Sequence, residues 1–209
     1  MPFPYEFVGR YTSGHDLLVP RRDGAAVGVS ENAFDDITVA IQPTPGAPAM
    51  ATRQFRLLGY WTRRVTIAPL VNRIITGPMS GCYIMAFDRG GVTHVAHVGT
   101  TTIPGDSLAV KNEWRNFIAQ PGITNVRGYK PTTTLAPADV VVPPERQGWN
   151  TFARVYTVIE PTGAIWCIGF VNQPDEMTGG NGQAFYCAEV APVPGWRPWA
   201  AIELDAQWQ

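Results

Sequence analysis

Cysteine, histidine and charge are all scarce in this chain. It holds 3 Cys and 3 His in 209 residues. Cys82, Cys167 and Cys187 lie far apart, so they make neither a disulfide framework nor a metal-ligand spacing. Cys167 and Cys187 stand in strand-like apolar runs and read as buried core thiols, with a mutual disulfide as the minor alternative. Lys and Arg number 16 against 17 Asp and Glu, a formal net charge of −1. That balance gives no electrostatic case for nucleic acid or an anionic membrane. Arg21-Arg22 and Arg63-Arg64 are isolated pairs and read as solvated surface. No apolar run approaches the roughly 20 residues that span a bilayer. The start, Met1-Pro-Phe-Pro-Tyr-Glu6, lacks the basic-then-apolar pattern of a standard secretory signal. Gly179-Gly-Asn-Gly182 is not followed by Lys-Ser/Thr, so it gives only a weak case for a nucleotide site. No internal repeat and no cofactor motif is found.

What is present is globular. The chain is 45% hydrophobic, with 19 Pro and 21 Gly to break it into short elements. Its length suits a single domain over residues 1–209, with an irregular lead-in over about residues 1–34 that holds one strand at most and an exposed His15. Strands are expected at 37–42, 53–61 (with a bulge at Gly59), 64–68, 140–142, 184–190 and 199–204. A hairpin is expected at 152–159 and 164–171 around Glu160-Pro-Thr-Gly163. Val110, Trp114, Phe117 and Ile118 recur at helical spacing, so one amphipathic helix is expected, capped by Asp106 or Ser107 and stopped by Pro121-Gly122. Trp114 reads as its core anchor. Many strands with one principal helix predict an α+β fold, two packed, largely antiparallel sheets with long loops.

The chemistry concentrates in Thr76-Gly-Pro-Met-Ser-Gly-Cys82 and the hairpin that follows. Residues 82–87 and 92–98 are strand-like, and Asp88-Arg-Gly-Gly91 is a turn cluster. Pairing Phe87 with Val92 sets Cys82 directly opposite His97, on one face, and sends His94 to the reverse face opposite Met85. A thiol beside an imidazole is the minimum set for thiol nucleophilic catalysis. His97 is therefore the expected base, with His94 the alternative if the turn centres on Asp88. Ser80-Gly81 lets the backbone come close to a substrate, and a Thr76 hydroxyl can hold the imidazole in one tautomer. Against this, a cysteine at the start of an apolar strand is ordinarily core, and a slip in register breaks the pairing.

Thr-x-x-Met-Ser-Gly-Cys, then a hairpin, then His resembles the glutamine deamidases of the cytotoxic necrotizing factor and Burkholderia lethal factor type. The chemotaxis receptor deamidases share the pattern more distantly. The likeness runs from Thr76 through the helix after the hairpin. It implies Cys82 as nucleophile, the histidine of the following strand as base and Thr76 as third member. An ungapped alignment to the lethal factor selects His94, while the necrotizing factors, with a longer hairpin, favour His97 in His97-Val-Gly-Thr100.

The resemblance further implies two sheets packed together and a toxin or effector. It would be secreted without a standard signal peptide, or excised from a larger toxin, and would act in the host cytosol. The expected activity is conversion of a target-protein glutamine to glutamate through a thioester, with no metal or organic cofactor. Backbone N–H groups around Ser80, Gly81 and Cys82 are the expected oxyanion donors. The expected partner is a host protein, a GTPase or translation factor by resemblance, met by a monomer. Access requires the sulfur at the foot of an open pocket, rimmed by 103–107 and then by 174–183. A cysteine peptidase or transglutaminase using the same pair, and a non-enzymatic β-sandwich binding protein, are the competing readings.

Overall fold

A computed structural model describes residues 9–13, 26–42, 51–142, 153–173 and 183–208. In chain order the strands are β1 (Gly9–Ser13), β2 (Gly28–Glu31), β3 (Phe34–Gln42), β4 (Ala51–Leu58), β5 (Arg64–Pro69), β6 (Ile74–Met79), β7 (Tyr83–Arg89) and β8 (Val92–Val98). Helix α1 (Pro104–Ile118) follows, then β9 (Ile123–Tyr129), β10 (Ala153–Ile159), β11 (Ile165–Gln173), β12 (Gln183–Pro192), β13 (Arg197–Pro198) and helix α2 (Trp199–Glu203). The α+β reading holds: two largely antiparallel sheets pack together, with α1 as the principal helix. The first runs β1-β12-β11-β10-β6-β4-β3 and closes on itself through β3 and β1. The second runs β13-β9-β7-β8-β5-β2.

Alternation along β7 and β8 decides what each face touches. Tyr83, Met85, Phe87, Ala96 and Val98 pack with Val110, Trp114 and Phe117 of α1. Cys82, Ile84 and Val95 turn the other way, onto Val155, Cys167 and Val171 of the first sheet. The site-bearing face is therefore the one buried between the sheets. The predicted hairpin at Glu160–Gly163 forms, with Glu160 N–H donating to Ala164 O and Gly163 at φ 86°.

Several local expectations are corrected. Residues 140–142 make no strand, because Val140 plugs the core directly against Gly169 of β11, where a Cβ would come within 2.7 Å of its methyl. Residues 199–203 are helical: Trp199 and Ile202, three apart, both face the α1 cluster. Helix α1 starts at Pro104 behind an extended Ile103, with no side-chain cap. Ser107 instead ties back to the preceding loop, donating to Thr101 O at 2.7 Å and accepting from Thr101 N–H at 3.0 Å. Strand β4 ends at Leu58, so Gly59 terminates it and is no bulge. The lead-in holds two strands, β1 and β2, where one was expected, each taking its place by pairing with a partner distant in sequence. Strand β9 had no counterpart in the sequence reading. His15, the side chain of Cys187 and residues 174–182 lie outside the described residues.

Candidate functional site

The β7–β8 turn is tighter than expected. Arg89 pairs with Val92, leaving only Gly90 and Gly91 between them, at φ 60° and 78°. A two-residue hairpin turn with both centres left-handed favours glycine at each. Asp88 stays in the ladder, where its carboxylate accepts from Thr93 Oγ1 and Asn125 Nδ2, each at 2.7 Å. The register consequently slips by two residues: Ile84 faces His97, and Phe87, not Met85, faces His94. A slip of two returns every side chain to its own face. Cys82 therefore still shares a face with His97, but as a diagonal neighbour and not directly opposed. His94 lies on the reverse face, stacked on Phe87 at 5.1 Å with Nδ1 at 3.0 Å from Val92 O.

His97 reaches across from the second sheet to the first. Its Nδ1 lies 2.7 Å from Thr76 Oγ1, and both residues are wholly buried. The Thr76 hydroxyl has a single proton, which it gives to Leu58 O at 2.9 Å. It must then accept from His97, so Nδ1 carries the imidazole proton and Nε2 presents its lone pair. Nε2 is buried and makes no hydrogen bond among the described residues. Tyr60 stacks on the imidazole, with ring centres 4.9 Å apart. Burial holds the His97 pKa down to about 3, so the ring is neutral at physiological pH.

Cys82 is wholly buried and free. Its thiol points at Thr100 O at 3.8 Å, and no hydrogen bond joins it to His97. Burial pushes the Cys82 thiol pKa up. The Thr100 hydroxyl, the backbone at Thr100, the Tyr60 hydroxyl and the backbone at Gly81 act in the opposite direction, favouring the thiolate. Burial prevails, so the resting pair is thiol and neutral imidazole. Gly81 is half-buried, and a Cβ there would meet only Thr100 Oγ1, at 3.6 Å. Ser80 is exposed.

A pocket of about 580 Å³ opens beside this cluster, lined by Tyr60, Ser80, Thr100, Thr101, Ile103 and Arg154 among others. Arg63 sits on its rim at φ 69° and pairs with Asp106 of α1 at 3.3 Å. The expected 103–107 rim is thus present. The expected exposed sulfur is not: Cys82, His97 and Thr76 stay outside the pocket lining, while Tyr60 and Thr100 touch both the cluster and the pocket. The sequence pattern assigned no role to Tyr60, which fell inside an expected strand, or to Thr100, and it offered no local signal for either. Cys167 is a buried thiol donating to Pro131 O at 3.6 Å. Among the described residues, no three His, Cys, Asp or Glu side chains gather to hold a metal ion.

No family model and no curated protein matches the chain. Among solved structures, the chain is similar to the crystal structure of the C-terminal domain of CNFy from Yersinia pseudotuberculosis. The two are 10% identical with a TM-score of 0.26, over 90% of this chain and 87% of that one, a likeness too slight to carry an argument.

Proposed function

We propose that the chain is a cysteine-dependent protein-glutamine deamidase, with Cys82 as nucleophile, His97 as base and Thr76 as the group that fixes the imidazole tautomer. One observation carries the reading. Thr76 Oγ1 accepts a hydrogen bond from His97 Nδ1–H, which leaves a buried Nε2, without a partner among the described residues, on the same face of β7–β8 as the thiol. An ordinary core histidine has both nitrogens satisfied; a general base needs one free.

On this reading substrate must first open the site, relieving the burial that holds the imidazole pKa down and the thiol pKa up; His97 Nε2 then takes the thiol proton as Cys82 Sγ attacks the glutamine carboxamide carbon. The resulting oxyanion needs donors, and the backbone N–H groups around Ser80, Gly81 and Cys82 are the candidates, because the Thr100 backbone presents a carbonyl oxygen to the sulfur. The imidazolium protonates the departing nitrogen, ammonia leaves, and a thioester remains. Water, deprotonated by His97, cleaves it to glutamate and the free thiol. Transglutamination replaces that water with an amine. The partner is a host protein with an accessible glutamine, a GTPase or a translation factor, and the setting is a bacterial toxin or effector acting in the host cytosol; both come from the motif resemblance alone.

The competing reading is a non-enzymatic β-sandwich protein in which Cys82 is core, and the complete burial of Cys82 favours it. The two separate by mass spectrometry of host-cell lysate treated with the protein. Gln→Glu changes of about one mass unit that vanish with Cys82→Ser support the deamidase. Lysate unchanged by a folded wild-type protein, with no ammonia released, rules it out.

A further inference from the structure

The cluster and the pocket touch but do not join; Thr100 and Tyr60 stand at the junction, and of the two it is the Tyr60 ring that covers the imidazole. Tyr60 lies in the connection between β4 and β5. That connection is pinned at both ends: Gly59 N–H donates to Ala33 O at 2.9 Å, the Thr66 hydroxyl donates to Gly59 O, and Arg63 N–H donates to Gly99 O at 2.9 Å. Gly99 allows the close approach, since a Cβ there would meet Trp61 O at 2.2 Å. The frame around Tyr60 is therefore fixed, and the ring hangs from it with one side on the His97 imidazole and another in the pocket lining.

Its hydroxyl has a further property. It donates to Thr100 O at 3.3 Å, the same carbonyl that the Cys82 thiol points to. One carbonyl thus receives two protons while the sulfur is neutral. Once the thiol ionises, it stops donating and becomes an acceptor, and the carbonyl oxygen repels it. The Tyr60 hydroxyl and the sulfur meet at this one carbonyl, so the hydroxyl is placed to turn its proton from Thr100 O toward the ionised sulfur.

We propose that Tyr60 is a further residue of the thiol machinery, with its ring as the movable wall between pocket and Cys82–His97 and its hydroxyl as a donor to the ionised sulfur. A carboxamide reaching Cys82 from the pocket must displace that ring. The inference rests on the Cys82–His97 reading of the site, but its test requires no turnover.

The test is alkylation of native protein by iodoacetamide, followed by peptide mass spectrometry, with buried Cys167 as internal control. Tyr60→Ala removes the wall. Cys82 should then react about tenfold faster or more than in wild type, with Cys167 unchanged. Tyr60→Phe keeps the wall and loses the donor, so the midpoint of the pH profile for Cys82 alkylation should rise by about one unit. Equal acceleration of Cys82 and Cys167 in Tyr60→Ala means that the variant has only loosened the core, and overturns the proposal. So does a Tyr60→Ala protein whose Cys82 reacts no faster than wild type, or a Tyr60→Phe profile that superimposes on the wild-type one. A protein that passes both arms yet releases no ammonia keeps this inference and loses the deamidase.

Discussion

His97→Asn tests whether the imidazole is held neutral inside the fold. Burial depresses the folded pKa of His97 from 6.5 to about 3. Below the unfolded value the unfolded chain takes up a proton that the folded chain refuses. The contribution is therefore complete above pH 6.5 and is lost as pH falls toward the folded value. At about 1.36 kcal/mol per unit, the full loss is of order 5 kcal/mol. Integrated from pH 7 to pH 4, it is about 3 kcal/mol, a large part of a domain stability of about 5–15 kcal/mol. Asparagine places an N–H where Nδ1 stood and can still donate to Thr76, but it cannot be protonated. It also gives up the ring that stacks on Tyr60, so the variant should start about 1–3 kcal/mol less stable at pH 7. Urea unfolding at pH 7, 5.5 and 4, followed by tryptophan fluorescence, gives the two curves. Acid loss from every other titrating group is common to both and cancels in the difference. Wild type should lose about 3 kcal/mol more than His97→Asn between pH 7 and pH 4. Parallel curves would mean that His97 titrates as an ordinary exposed histidine, and the closed, neutral site described above would be wrong.

Two further substitutions separate structure from chemistry. Thr76→Val keeps the shape but strands both Leu58 O and the His97 Nδ1 proton, so chemical denaturation should show a loss of about 1–3 kcal/mol. Ammonia release by the folded variant should also fall at least tenfold, and full activity would return Thr76 to a purely structural role. Gly81→Ala introduces a methyl that meets only Thr100 Oγ1 at ordinary contact distance. Its stability should stay within about 0.5 kcal/mol of wild type. If the Gly81 backbone must meet substrate, kcat/KM should drop while the melting temperature holds; an unchanged kcat/KM would remove Gly81 from the site.

The face relationship of Cys82 and His97 was legible in the sequence because it depends only on parity. The alternation of Cys82, Ile84 and Ala86 against Val95 and His97 survives any even slip of register. The register itself was misread because Asp88 resembles a turn residue. Its carboxylate is instead occupied by Thr93 and by Asn125 of β9, a strand with no clear alternation of its own. Tyr60 was illegible for a related reason: its role depends on contacts with Thr100 and His97, each more than thirty positions away. The same distance hid the burial of the sulfur. Local pattern says which residues share a strand face, but only tertiary packing says what covers that face.

The spacing within the Thr76–Cys82 motif has a structural cause that does not depend on any catalytic reading. Strand β6, with Thr76, belongs to the first sheet, and β7, which begins just after Cys82, belongs to the second. The segment from Ser80 to Cys82 is the crossover between the two layers, and packed sheets lie about 10 Å apart. Before it, inside β6, Gly77 lies against the Tyr156 ring, where a Cβ would come within 2.6 Å of Cδ1. The crossover's first residue, Ser80, joins the pocket wall. The Thr76–His97 hydrogen bond then ties the layers together at the point where the chain has just crossed between them. A thiol at the landing of such a crossover faces the inter-sheet core on one side and the loop surface on the other. That position is what allows one cysteine to be fully enclosed at rest and still lie a single side chain away from an open pocket.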